Sequence, residues 1–106
     1  QTPWPCKYMV GATHTSGFVP KIKGHKADSI FISAEPLLGG IGFNSLYCSW
    51  VIVGATTGPR AVHPKKQWLR DIVDLCDLDD IPLFMKNNLQ EIWPGELIQE
   101  IPWMKI

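Results

Sequence analysis

Glu35 and Lys86 each stand directly after a short, mostly apolar run: Ser29 to Ala34 for the first, Ile81 to Met85 for the second. A carboxylate and an ammonium at neighbouring strand ends can pair with each other, hold a charged ligand or pass a proton. If buried, such a pair needs good geometry to offset its desolvation. The residues alone leave both uses open, closing a sheet edge or touching a substrate or cofactor. His14, behind the run Tyr8 to Ala12, is a further candidate base or ligand, although a single imidazole without partners equally suits a hydrogen-bonded rim. Thr13, Ser33, Gly54, Thr56, Thr57, Asn87 and Asn88 occupy corresponding places beside or behind these runs. Together they make a candidate ligand- or cofactor-binding edge.

A second grouping is basic. Arg60, Lys65 and Lys66 surround the expected start of a helix, where free N–H groups and the macrodipole favour an anion. Solvated surface lysines are the plainer reading of the same residues. Several other chemistries lack their motif. Gly54 to Gly58 has three residues between its glycines and is followed by Pro59, so it does not meet the phosphate-loop pattern. No G-x-G-x-x-G follows a strand, and no metal-spaced set of His, Cys, Asp and Glu or defensible Ser-His-Asp order appears.

Residues at strand ends share a site only if the strands run side by side in one direction. Ser49 to Ala55 is an uninterrupted apolar run rich in β-branched residues, the pattern of a strand covered on both faces. Ser29 to Ala34, Tyr8 to Ala12 and Ile81 to Lys86 are the other strand candidates, with Pro82 at the tolerated start of the last. From Pro64 to about Leu78, Trp68, Leu69, Ile72, Val73, Leu75 and Cys76 recur at helical spacing, while Arg70, Asp71, Asp74 and Asp77 take the other face. Each large side chain on that stripe contributes about 1.5 to 3 kcal/mol on burial, before entropy. Pro64 suits the first helical position, and the helix charges run against the macrodipole, with lysines first and aspartates last. Ser16 to Asp28 reads as a loop with room for a helical turn, Leu37 to Gly42 as a turn, Phe43 to Cys48 as a short helix, and Glu96 to Ile101 as one or two helical turns.

The whole chain of 106 residues has room for one domain and one core. Ten basic and ten acidic side chains cancel, so no chain-wide attraction to nucleic acid or to a membrane surface is expected, although a local patch remains open. The apolar runs fall well short of the roughly 20 residues a bilayer demands. Three widely spaced cysteines, Cys6, Cys48 and Cys76, suit a reducing cytoplasm better than a disulfide scaffold. The first residue is Gln1, and the opening stretch resembles the interior of a longer chain.

Several blocks occur in an order that carries a resemblance. They are Trp4-Pro5, Val10 to Thr13, Ile32 to Gly39 (Ile-Ser-Ala-Glu-Pro-Leu-Leu-Gly), Trp50 to Gly54, His63-Pro64 and Ile81 to Lys86. They resemble the C-terminal half of an uncharacterised phage-type protein family related to the radical S-adenosylmethionine enzymes. The resemblance implies a partial or complete (β/α) barrel whose N-terminal half carries a three-cysteine iron–sulfur motif. S-adenosylmethionine and the cluster are then implied for the full-length family, with none bound by this portion. Glu35, Gly54 and Lys86 match family motif positions on the open edge of the barrel. Where the family commonly has Gly-Gly-Glu-Ser-Gly, this chain has Gly54-Ala55-Thr56-Thr57-Gly58, so Thr56 replaces a glutamate and the carboxylate contact implied there is not carried over.

The expected architecture is therefore α/β, about four parallel strands with helix or loop crossovers, one domain forming part of a TIM-like barrel. The expected function is the C-terminal portion of a radical-SAM-like protein of unknown substrate, inactive by itself. Its partner would be the N-terminal half of the parent chain, or a second copy through an exposed seam. The alternatives are a phosphate- or nucleic-acid-binding module built on Arg60, Lys65 and Lys66, and a structural domain that self-associates.

Overall fold

The computed structural model describes residues 10–19, 30–43, 48–56 and 63–102. Four strands form one sheet: β1 (Val10–Thr13), β3 (Ile30–Ala34), β5 (Trp50–Val53) and β6 (Leu83–Met85). Their spatial order is β1-β3-β5-β6, and every neighbouring pair is parallel. Each strand of this sheet thus joins on the same side as the chain proceeds. Two further short strands, β2 (Gly17–Phe18) and β4 (Ile41–Gly42), pair in parallel as a separate ribbon. They lie on the segments that leave β1 and β3, so those two segments pair a second time beyond the main sheet.

Alternation along the strands assigns the two faces. Ile30, Ile32 and Ala34 are buried while Phe31 and Ser33 are half-buried, and Leu83 and Met85 are buried while Phe84 is half-buried. Register places Ile32 beside Val51 and Val51 beside Leu83, and likewise Ala34 beside Val53 beside Met85. That face joins Leu69, Ile72 and Cys76 of the single described helix, α1 (Lys66–Leu78), in one core. On the opposite face Phe31 and Trp50 are register partners whose rings meet at 5.8 Å. The Phe31 ring also lies over Gly11, where a Cβ would come within 2.3 Å of it. A side chain there would require the Phe31 ring to move.

Helix α1 carries the apolar stripe read from its spacing, with a later start. Lys65 is the N-cap, with extended backbone, and the buried Pro64 precedes it rather than opening the helix. Lys65 has no side-chain oxygen to cap the free N–H groups, no acidic residue stands in the first turn and no basic one in the last. Two local contacts act beside that mismatch: Gln67 Nε2 donates to Asp71 Oδ1 at 2.7 Å, and the Lys65 ammonium lies 5.6 Å from the Trp68 ring centre. The C-terminus closes as a Schellman motif. Asp80 takes φ +54°, the Ile81 N–H donates to the Cys76 carbonyl at 2.8 Å, and the Asp80 N–H reaches the Asp77 carbonyl at 3.4 Å.

Three expectations need correction. Glu96 to Ile101 is not helical: Gln99 bridges antiparallel to Phe84, and the segment runs along the outer edge of β6. A two-residue strand falls in each of the stretches read as loop and turn, β2 within 16–28 and β4 within 37–42. In both cases the backbone groups of short, Gly-bearing segments find partners in each other: the Gly17 and Val19 N–H groups donate to the Gly40 and Gly42 carbonyls at 2.8 Å. The expected helix over 43–48, the start of the first strand at Tyr8 and Met9, and Ser29 fall largely or wholly outside the described residues.

Candidate functional site

The site begins where strand pairing ends. Ala34, Val53 and Met85 form the last register row of β3, β5 and β6, so Glu35, Gly54 and Lys86 form the next. Backbone hydrogen bonds carry the sheet one step further, from Gly54 N–H to the Ala34 carbonyl at 3.1 Å and from Lys86 N–H to the Val53 carbonyl at 2.9 Å. Two strand spacings, about 10 Å, separate the outer members of that row. Glutamate and lysine side chains span the gap because the middle member is glycine. Lys86 Nζ lies 2.7 Å from Glu35 Oε2. A Cβ on Gly54 would stand 3.0 Å from Glu35 Cγ, Cδ and Oε1. Gly54 is thus the floor over which the ion pair closes.

The pair is half-buried, with the Glu35 side chain 31% and the Lys86 side chain 44% exposed. At that exposure it contributes at most about 1 kcal/mol to stability. It remains open to a ligand approaching from solvent. Among the described residues each charge is paired with the other, and a ligand group of opposite sign can compete for either.

Loops around the pair are fixed by backbone bonds. The Leu37 N–H donates to the Gly54 carbonyl at 2.9 Å, and the His14 N–H donates to the Ser33 carbonyl at 3.0 Å. The Glu35–Pro36 peptide bond is cis. Asn88 does what a paired strand residue would do: its Oδ1 accepts from Ala55 N–H at 3.1 Å, and its Nδ2 donates to the Ala55 carbonyl at 2.9 Å. One amide side chain thereby pins the loop after β5 to the short 3-10 turn Asn87–Leu89 that follows β6. Asn87 Oδ1 in turn accepts from Gln99 Nε2 at 2.9 Å.

Of the residues singled out from the sequence, the structure gathers Glu35, Gly54 and Lys86 directly. Ser33 lies on the same face as Glu35, two register rows before that row, opposite Ile52. Thr13 and His14 lie at the end of β1, Thr56 is half-buried in the loop after β5, and Asn87 is exposed behind β6. Thr57 and Arg60 lie outside the described residues. Lys65 and Lys66 are exposed at the start of α1, Lys65 against Trp68. The bracing roles of Asn88, Gln99 and Glu100 were missed. For Asn88 a signal existed, since an amide carries its donor and its acceptor on two separate atoms and can pair with both backbone groups of one residue.

The two described thiols, Cys48 and Cys76, are buried and held in the neutral form: desolvation pushes the first to about 11 and the second to about 12. Among the described residues no group of three or more His, Cys, Asp and Glu side chains is placed to hold a metal ion. A depression of about 410 Å³ lies instead near the start of β6, lined by Asp74, Asp77, Asp80 and Glu100 together with Val73, Cys76, Ile81, Leu83 and Ile98. It is acidic, and β6 runs from it to the rim that carries Lys86.

Among the described residues no helix is long and apolar enough to cross a membrane. Comparison with curated proteins finds no match, and comparison with solved structures finds none. A family model, described as a protein of unknown function (DUF5131), matches residues 7–94. The match spans all four strands of the main sheet, the helix and the Glu35, Gly54 and Lys86 row, and the chain belongs to the DUF5131 family.

Proposed function

We propose that this chain is the C-terminal arc of a (β/α) barrel in a phage-type, radical-SAM-like protein, inactive by itself, and that the Glu35–Lys86 rim is its ligand-binding edge. The observation that carries this reading is the strand order. Four parallel strands follow one another without a reversal, as a singly wound barrel requires, whereas a doubly wound sheet reverses at a switch point. In barrels of this kind ligands sit at the carboxyl ends of the strands, where Glu35, Gly54 and Lys86 converge. Oppositely charged groups side by side complement a ligand that carries both signs, and the aminocarboxylate of S-adenosylmethionine is such a group. In the parent protein that cofactor supplies radical chemistry. Going beyond the expectation that this portion binds no cofactor, the rim of this chain would itself orient the aminocarboxylate, Lys86 toward its carboxylate and Glu35 toward its ammonium. The substrate is unassigned.

The test is a titration of the isotope-labelled chain with S-adenosylmethionine, followed by amide chemical shifts. Shifts confined to Glu35, Gly54, Lys86 and Asn87, lost in Glu35→Gln and Lys86→Met, support the reading. Absence of shifts at millimolar ligand, or shifts centred on Lys65 and Lys66, contradicts it. The second outcome, combined with a steep loss of binding as salt rises, would favour the phosphate- or nucleic-acid-binding alternative.

A further inference from the structure

The outer edge of β6 is fully occupied, and half of what occupies it is side chain. Leu83 and Met85 turn their backbone groups away from β5, and four hydrogen bonds meet them. The Met85 N–H donates to the Ile98 carbonyl at 2.7 Å and the Glu100 N–H to the Leu83 carbonyl at 2.8 Å. These two are ordinary strand bonds. The Leu83 N–H, however, donates to Glu100 Oε1 at 3.0 Å, and the Met85 carbonyl accepts from Gln99 Nε2 at 2.8 Å. A carboxylate and an amide side chain thus stand in for backbone groups that a regular strand would present. The segment is anchored from the sheet as well, since Trp50 Nε1 donates to the Glu100 carbonyl at 3.0 Å.

We infer that Ile98–Glu100 is an edge guard: it closes β6 against strand addition and so keeps a second copy of this chain from pairing edge to edge with it. An uncovered strand edge recruits other strands. Here the covering segment matches β6 at only one bridged residue, Gln99 opposite Phe84, and its two side-chain bonds prevent the remaining edge groups from serving as a template. A copy of β6 arriving antiparallel would offer backbone partners for the same groups, so the guard and a second copy compete. The barrel reading is affected in one respect: strands that extend the arc join at β1, because β6 is closed. The inference stands on the hydrogen bonds alone and does not depend on the proposed ligand.

The test is the double variant Gln99→Ala with Glu100→Ala in the full chain, read by sedimentation over a range of concentrations and by hydrogen exchange at Leu83. The variant is expected to associate more strongly than the unaltered chain. In dilute monomer its Leu83 amide should exchange about tenfold faster, the loss of one hydrogen bond, and protection should return on association. Exchange at Ile32 and Val51 reports whether the core is intact. If the double variant does not fold, Glu100→Ala alone, which leaves both backbone bonds but removes the acceptor of the Leu83 N–H, is read in the same way against Glu100→Gln, which keeps the Oε1 acceptor. A variant that sediments as the unaltered chain does, or whose Leu83 amide stays unprotected on association, overturns the inference.

Discussion

Replacing Asn88 by alanine removes a side chain that ties the loop after β5 to the turn after β6. Two hydrogen bonds go, to Ala55 N–H and to its carbonyl. Ala55 is 5% exposed, so its backbone groups regain little water when Asn88 is truncated. An unsatisfied buried group costs about 1 to 3 kcal/mol; two such groups, partly relieved by loop movement, put the loss at about 2 to 4 kcal/mol. For a domain of this size that corresponds to a fall in Tm of roughly 10 to 20 °C, within the 5 to 15 kcal/mol typical of total stability. Urea unfolding should show a lower midpoint with an unchanged slope, since the surface exposed on unfolding hardly changes. Asn88→Asp sharpens the test. It keeps an acceptor for Ala55 N–H but sets a carboxylate against the Ala55 carbonyl, which favours the protonated carboxyl in the fold and raises its pKa there. The damage should therefore be largest at neutral pH, ease as pH falls through the raised folded-state value, and be fully relieved by about pH 4, the ordinary carboxylate value, below which the carboxyl is protonated in both states. A loss below about 0.5 kcal/mol for Asn88→Ala, or no pH dependence for Asn88→Asp, would refute the bracing role.

A double-mutant cycle between Glu35→Gln and Lys86→Met should give a coupling below about 1 kcal/mol that shrinks as salt is added, and Gly54→Ala should reduce it further by displacing the carboxylate. Asp80→Gly should stabilise by about 0.5 to 1 kcal/mol in thermal unfolding, because Asp80 sits at φ +54° where glycine carries no steric penalty. Burial holds Cys48 near 11 and Cys76 near 12 against an ordinary value of 9.0. The neutral thiols therefore favour the fold fully below pH 9, and that stability is lost as pH rises through 11 and 12; Cys76→Ala should flatten the alkaline part of a stability–pH curve. Ile72→Ala, at a site 1% exposed, should cost about 2 to 5 kcal/mol in chemical unfolding.

Much of the scaffold was legible because its signals are local. The β-branched run at Trp50 to Val53 and the three-and-four spacing of Leu69, Ile72 and Cys76 each require only a few neighbouring residues to be read. The row of Glu35, Gly54 and Lys86 followed from one further assumption, that the strands are parallel. What escaped was set by partners distant in sequence. Glu96 to Ile101 looks helical in isolation, but the unpaired edge of β6 offers Ile98 and Glu100 backbone partners that no local pattern encodes. Pro64 looks like a first helical residue, yet the helix begins two residues later. The amide of Asn88 could be recognised as a rim residue, while its pairing with Ala55 depends on two loops being brought together by the sheet.

The central claim is that the ends of β3, β5 and β6 meet in one row with an ion pair across the glycine. Zero-length carbodiimide coupling tests it most directly, because it joins a carboxylate to an amine only when the two are already in contact. Peptide mapping by mass spectrometry of the folded monomer should find an amide between Glu35 and Lys86, suppressed when the chain is first unfolded in urea. Coupling of Lys86 to some other carboxylate, with Glu35 left unmodified or joined elsewhere, would contradict the account.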